Sequence, residues 1–124
     1  MKDAILVFIG GGLGSVARFG ISGLTLRHIQ TNFPVGTFLA NFFACIILAI
    51  AIALLSQYEN KMQWLKPLMI IGFCGGFSTF STFSFETLML FRSGYTAWGI
   101  SNIIVSVLSC IIILFFLYKP DIPQ

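Results

Sequence analysis

Apolar residues in this chain come in four long runs, at about 4–26, 34–56, 67–91 and 95–118, with short polar stretches between them. A helix needs ~20 residues at ~1.5 Å each to cross the hydrocarbon core of a bilayer. Each run meets that length, so the pattern predicts four transmembrane helices joined by short loops, forming one transmembrane domain over residues 1–124. The punctuation agrees. Pro34 suits the first turn of the second helix, where its missing N–H would be unpaired anyway. Gly94 follows Arg92-Ser93 and is suited to ending the third. Tyr95 and Trp98 fall at one membrane surface, and Tyr58, Trp64 and Tyr118 at the other.

The polar positions inside the runs carry the information. The third run holds Gly72-Phe73-Cys74-Gly75-Gly76-Phe77-Ser78-Thr79-Phe80-Ser81-Thr82-Phe83-Ser84-Phe85-Glu86. Paired glycines weaken a helix, and hydroxyls within a membrane must find partners where water is absent. One reading is tight packing, with small residues at helix contacts and hydroxyls bonding back to carbonyls one turn earlier. The other is a helix broken in mid-membrane at Gly75-Gly76, whose freed carbonyls and hydroxyls line an ion path. The density of hydroxyls, the glycine pair and the interleaved rings favour the second. Glu86 lies in the last turns of the same run, at a depth where a carboxylate is usually paired, protonated or facing water.

In the first run Gly10 and Gly14 share a face that permits close helix contact, and Arg18 and Ser22 continue it. Arg18 is deep for a side chain that merely snorkels to the headgroups, and an intramembrane arginine by default marks a functional or water-filled site. In the second run Thr37, Asn41 and Cys45 recur at helical spacing. Asn41 serves either as an interhelical hydrogen-bonding residue or as a pair of N–H donors for an anion. In the fourth run Asn102, Ser106 and Cys110 form a second polar stripe, with Ser109 beside it.

The chain is 57% hydrophobic and 9% charged, far from the roughly one-quarter charged residues of soluble domains, which makes it an integral membrane protein. Seven Lys/Arg against four Asp/Glu are too few and too scattered to bind nucleic acid. The three cysteines, Cys45, Cys74 and Cys110, have no CxxC spacing and read as small core residues; His28 has no catalytic or metal-binding companions. No nucleophile–base pair stands out, so an enzyme is not expected. Lys2, Lys61, Lys66 and Lys119 flank one side and Arg27 and Arg92 the other, a small bias for the positive-inside rule. Such a chain can insert both ways round, and four helices are few to enclose a pore, so an oligomer with its path at the subunit contact is expected.

Gly10-Gly11-Gly12-Leu13-Gly14-Ser15-Val16-Ala17-Arg18-Phe19, Gly36-Thr37-Phe38-Leu39-Ala40-Asn41 and the glycine–hydroxyl stretch from Gly72 to Ser84 together resemble the CrcB/Fluc fluoride channels. The resemblance covers the whole chain in length and segment order. It implies a passive, fluoride-selective channel in the inner membrane of a bacterium, releasing cytoplasmic fluoride down its gradient. It implies an all-α, antiparallel, dual-topology homodimer with two pores and a structural sodium ion at its centre. It places Asn41, Phe80 and Phe83 in the pore, the carbonyls of Gly75 and Ser78 on the sodium, and Arg18 and Glu86 at the family's first-helix arginine and post-motif acid. It sets the fourth-helix polar track at Asn102, Ser106 and Cys110. Ser81 and Thr82 join Asn41 and Ser106 as donors able to replace an anion's water. Two other functions fit the residues less well: a small four-helix multidrug/proton antiporter, which should carry its embedded acid where this chain has Arg18, and a non-transporting membrane assembly subunit.

Overall fold

Small residues at helix contacts and bulky ones outside are the arrangement a membrane requires, because lipid tails do not drive large apolar side chains inward. The computed structural model describes residues 1–58 and 62–118 and has this arrangement. Four helices are long and apolar enough to cross a membrane: Lys2–His28, Val35–Gln57, Lys66–Arg92 and Thr96–Leu117. The described residues contain no strand. The protein is therefore all-helical and passes through the membrane several times. Lys61, Lys119, Pro120 and Pro123 lie outside the described residues.

The second helix buries Thr37, Ala40, Ala44, Ala49 and Ala51, all small. Ala40, Ala44 and Phe77 form the centre of the core, with Ala17, Ile21, Ile47 and Phe73 against them. Phe8, Phe19, Phe115 and Phe116 point outward instead.

The first helix lies against the opening half of the third span along a line of glycines. A Cβ on Gly10 would strike the Leu68 carbonyl and stand 2.9 Å from Phe73 N. One on Gly14 would strike the Phe73 carbonyl and stand 2.8 Å from Phe77 N. From the other side, a Cβ on Gly76 would run into the Gly11 backbone. The shared face of Gly10 and Gly14 thus meets the third span at backbone-to-backbone distance.

The third span is not one regular helix. Lys66–Cys74 winds loosely as a π-helix, Gly75–Phe77 makes an α-turn, and Phe80–Arg92 is a separate α-helix. Between them Ser78 (φ −75, ψ 157) and Thr79 (φ −150, ψ 117) are extended. The interruption therefore falls at Ser78-Thr79 and not at Gly75-Gly76, where the sequence placed it. Gly75 keeps helical angles (φ −65, ψ −36). Gly76 is a glycine so that Gly11 can approach, not so that the chain can bend. The closing half ends as the sequence predicts: Gly94 takes φ 81, its N–H donates to Phe91 O (3.2 Å), and Tyr95 N donates to Leu90 O (2.9 Å). This paired C-terminal motif satisfies the last carbonyls before the turn.

The glycine line separates two kinds of substitution. Gly10→Ala, Gly14→Ala and Gly76→Ala should each cost about 1–3 kcal/mol through overpacking against backbone that cannot yield. A methyl added at Gly20 or Gly23 would meet nothing within 4 Å. Gly20→Ala and Gly23→Ala should be neutral, or gain up to ~1 kcal/mol from helix propensity. Thermal stability of the detergent-purified protein, followed by gel filtration after heating, reads the difference. Equal melting of Gly14→Ala and Gly20→Ala would show that the glycine contact is absent.

Candidate functional site

A backbone N–H taken out of a helix in a place without water must find another acceptor. At the interruption Thr79 is one residue whose N–H leaves the helical ladder, and Asn41 on the second helix supplies its acceptor. Thr79 N donates to Asn41 Oδ1 at 2.7 Å, and Asn41 Nδ2 donates to Thr79 O at 3.3 Å. The side-chain amide thus pairs with one residue's N–H and C=O as a neighbouring strand would. Of the two readings the sequence leaves open for Asn41, the structure has the interhelical one, and it commits one of the two N–H donors to Thr79 while the other remains.

Thr79 also starts the closing half of the span. Its Oγ1 accepts from Thr82 N (3.3 Å), the N-cap role, and donates to Thr82 Oγ1 (3.0 Å). Ser81 Oγ lies 3.4 Å away. Ser78 turns its hydroxyl back to Cys74 O (2.8 Å). The carbonyls nearby are less well served. Among the described residues, no hydrogen bond across the interruption ends on the carbonyl oxygen of Gly75 or of Ser78. Gly75 is exposed, with open space where a side chain would be. Two under-used oxygens beside open space are what a hard cation such as sodium binds, so the residues fit the ion.

The candidate residues fall into separate recesses. Asn41, Phe80, Phe83 and Ser106 line one cavity of about 320 Å³, together with Ser78 and Thr79. The rings of Phe80 and Phe83 share a helix face, with centroids 5.9 Å apart and planes tilted by 38°. Phe83 is half-buried, whereas Phe80 is 80% exposed. Arg18 and Thr82 line a different recess of about 420 Å³ with Ser15, Ser22, Thr37 and Thr79. Its walls are hydroxyls and one ring, with no carboxylate, so Arg18 presents an unneutralised charge to a hydroxyl-rich space. Thr79 borders both recesses and is the partition between them. Ser81 is exposed and borders neither.

Glu86 lies apart again, bordering a recess of about 290 Å³ with Asn32, Ser93 and Tyr95. Its carboxyl neighbours the Thr37 side chain, and one of its oxygens is enclosed without a partner. Asn102 borders none of these spaces. It is 1% exposed and donates to Thr87 Oγ1 (2.9 Å), while Ser106 Oγ donates to Asn102 Oδ1 (3.1 Å). Thr87 Oγ1 donates in turn to Phe83 O (2.7 Å). The chain Ser106–Asn102–Thr87–Phe83 thus ties the fourth helix to the backbone that carries the Phe83 ring.

Two residues that matter were not singled out from the sequence. Thr79 was one hydroxyl among several, and Thr87 one threonine in a helix. The signal for Thr79 was present in part, as a threonine three residues ahead of Thr82 at the start of a helical half, the spacing of an N-cap. Nothing in the sequence pairs Thr87 with Asn102.

Comparison with known proteins agrees with the motifs. Residues 5–117 match the family described as CrcB-like protein, Camphor Resistance (CrcB). A protein of Pyrococcus abyssi named fluoride-specific ion channel FluC is 41% identical over 116 residues, 93% of this chain and 92% of its own length. Proteins of the same name from Dehalococcoides mccartyi (36% over 115 residues, 93% and 88%) and Phocaeicola vulgatus (44% over 94 residues, 76% and 77%) are similarly alike.

Proposed function

Because this chain belongs to the CrcB-like family, we propose that it is a fluoride channel: a passive, fluoride-selective path through which cytoplasmic fluoride leaves down its electrochemical gradient. The observation that carries this reading to particular residues is the cavity beside the helix interruption, which Asn41, Ser106, Phe80 and Phe83 all border. Fluoride is small and strongly hydrated. A path for it must replace its water with N–H and O–H donors, since an ion stripped without compensation costs far too much. The N–H of Asn41 not bonded to Thr79 offers such replacement, while the Ser106 hydroxyl, whose proton goes to Asn102, holds the wall beside it. Aromatic edges carry the positive rim of the ring quadrupole. Phe80 and Phe83 can therefore meet an anion without a full charge that would hold it, which conduction requires.

Arg18, Thr82 and the hydroxyls around them form the approach. Their field gathers anions from solution before the interruption, and Thr79 stands between that recess and the rings. Glu86, Asn102 and Ser81 act around the path: Asn102 by holding the helix half that carries Phe83, Ser81 and Glu86 at its margins.

Phe80, largely uncovered by its own chain, supports a path completed by a second copy. We assign an antiparallel homodimer in the bacterial inner membrane, with each path at the subunit contact and the interruption near mid-membrane. The Gly75 and Ser78 carbonyls of both copies would hold a sodium ion at the dimer centre, which supplies fixed positive charge beside an anion route.

Purified protein in liposomes tests the function. Fluoride efflux should need neither a proton gradient nor ATP, and chloride should pass at least roughly 100-fold more slowly, a barrier difference of ~2.7 kcal/mol. Comparable chloride flux would contradict selectivity, and flux that requires a proton gradient would point to an antiporter. The assembly is tested separately. Within one chain, a methyl on Gly75 meets nothing within 4 Å. Gly75→Val should therefore harm the protein only through a second copy, shifting it from dimer to monomer in gel filtration. An intact dimer whose efflux is also indifferent to sodium removal would overturn the central cation site.

A further inference from the structure

Two of the three cysteines, far apart in sequence, meet in the structure. Cys45 lies one turn beyond Asn41 on the second helix, and Cys110 one turn beyond Ser106 on the fourth. Both border the same cavity as Asn41, Phe80 and Phe83, and their side chains lie side by side, close enough to interact directly. Both are free thiols and neither is fully buried. The remaining cysteine, Cys74, is 5% exposed and does not border this cavity. Beyond the thiols the wall is apolar, formed by Val107 and Ile111.

We propose that Cys45 and Cys110 form a two-coordinate site for a soft, thiophilic divalent cation, and that filling it closes the cavity. Thiolate sulfur is a soft ligand, and ligation requires the thiol to lose its proton. Two S–H bonds break, two sulfur–metal bonds form, and both protons pass to water; no electron is transferred. The charges favour a divalent ion. One M²⁺ with two thiolates is neutral, which suits a wall that offers no counter-charge, whereas a monovalent ion would leave a net negative site in an apolar surround. Two thiols already adjacent on packed helices act as a chelate, holding the metal against competing monothiols through their high effective concentration. A bridged pair would tie the second helix to the fourth one turn from Asn41 and Ser106, in the space an ion leaving Asn41 has to cross. The binding half of this inference stands on the cysteine geometry alone; the closing half rests on the proposed path.

Mercuric ion is the probe. Detergent-purified protein is loaded with Hg²⁺, passed through gel filtration in a modest excess of a monothiol, and its retained mercury counted. The wild type and Cys74→Ser should keep about one mercury per chain, while Cys45→Ser and Cys110→Ser should each keep less than roughly a tenth of that, since either loses the chelate. Equal retention by wild type and Cys45→Ser overturns the site. In liposomes of the wild type, the ratio of fluoride efflux with and without Hg²⁺ should fall at least tenfold and recover on adding a dithiol, and Cys74→Ser should respond in the same way. Retained mercury with undiminished efflux overturns the closing half. Absence of fluoride efflux before any metal is added counts against the channel reading, and the mercury count still decides the site.

Discussion

Everything at the site depends on one pairing: the side-chain amide of Asn41 with the backbone N–H and C=O of Thr79. An interrupted helix in a membrane leaves main-chain groups that water cannot serve, and each such group costs ~1–3 kcal/mol when left bare. Asn41 removes that cost for Thr79. Thr79, freed from its own ladder, becomes the cap that starts the next helical half at Phe80. The rings of Phe80 and Phe83, the under-used carbonyls of Gly75 and Ser78, and the partition between the two recesses all take their positions from where this pairing stops one helix and starts another.

The pairing needs a second helix at the right distance, and the glycines provide the framework that fixes it. Gly10 and Gly14 bring the first helix onto the backbone of the third span, and Gly76 accepts the first helix in return. Ala40 and Ala44 let Phe77 fill the centre. On the other side, the hydrogen bonds from Ser106 through Asn102 and Thr87 reach the Phe83 carbonyl. The third span is thus held by packing before its interruption and by polar contacts after it. The large apolar side chains on the outside have little part in this, as expected where hydrocarbon is the solvent.

Much of this was legible in the sequence, for stateable reasons. Four spans show as four apolar runs because a membrane imposes a length. Gly94 reads as a terminator because a positive φ suits glycine. The motifs carry the family because they join residue types with little other reason to recur together. The interruption itself was misplaced. A glycine pair signals either a bend or a close approach, and only the partner, Gly11, shows that Gly76 is the second. For Asn41 the sequence leaves open an interhelical hydrogen bond or a donor pair for an anion; the structure has the first, but its partner, a main-chain group 38 positions away, is not recorded in any side-chain pattern. Likewise the cysteines looked inert one by one; it is the packing of the second helix on the fourth that makes Cys45 and Cys110 neighbours.

The most direct measurement is fluoride efflux from liposomes holding Asn41→Leu. Leucine keeps the volume and removes both the acceptor for Thr79 N–H and the remaining donor. If the interruption and its cavity form the path, a protein that still elutes as a folded species should lose roughly 100-fold in flux, corresponding to ~2.7 kcal/mol at the barrier. A folded Asn41→Leu protein conducting fluoride at the wild-type rate would show that the ion crosses elsewhere, and that the Asn41–Thr79 pairing is only a way of holding two helices together.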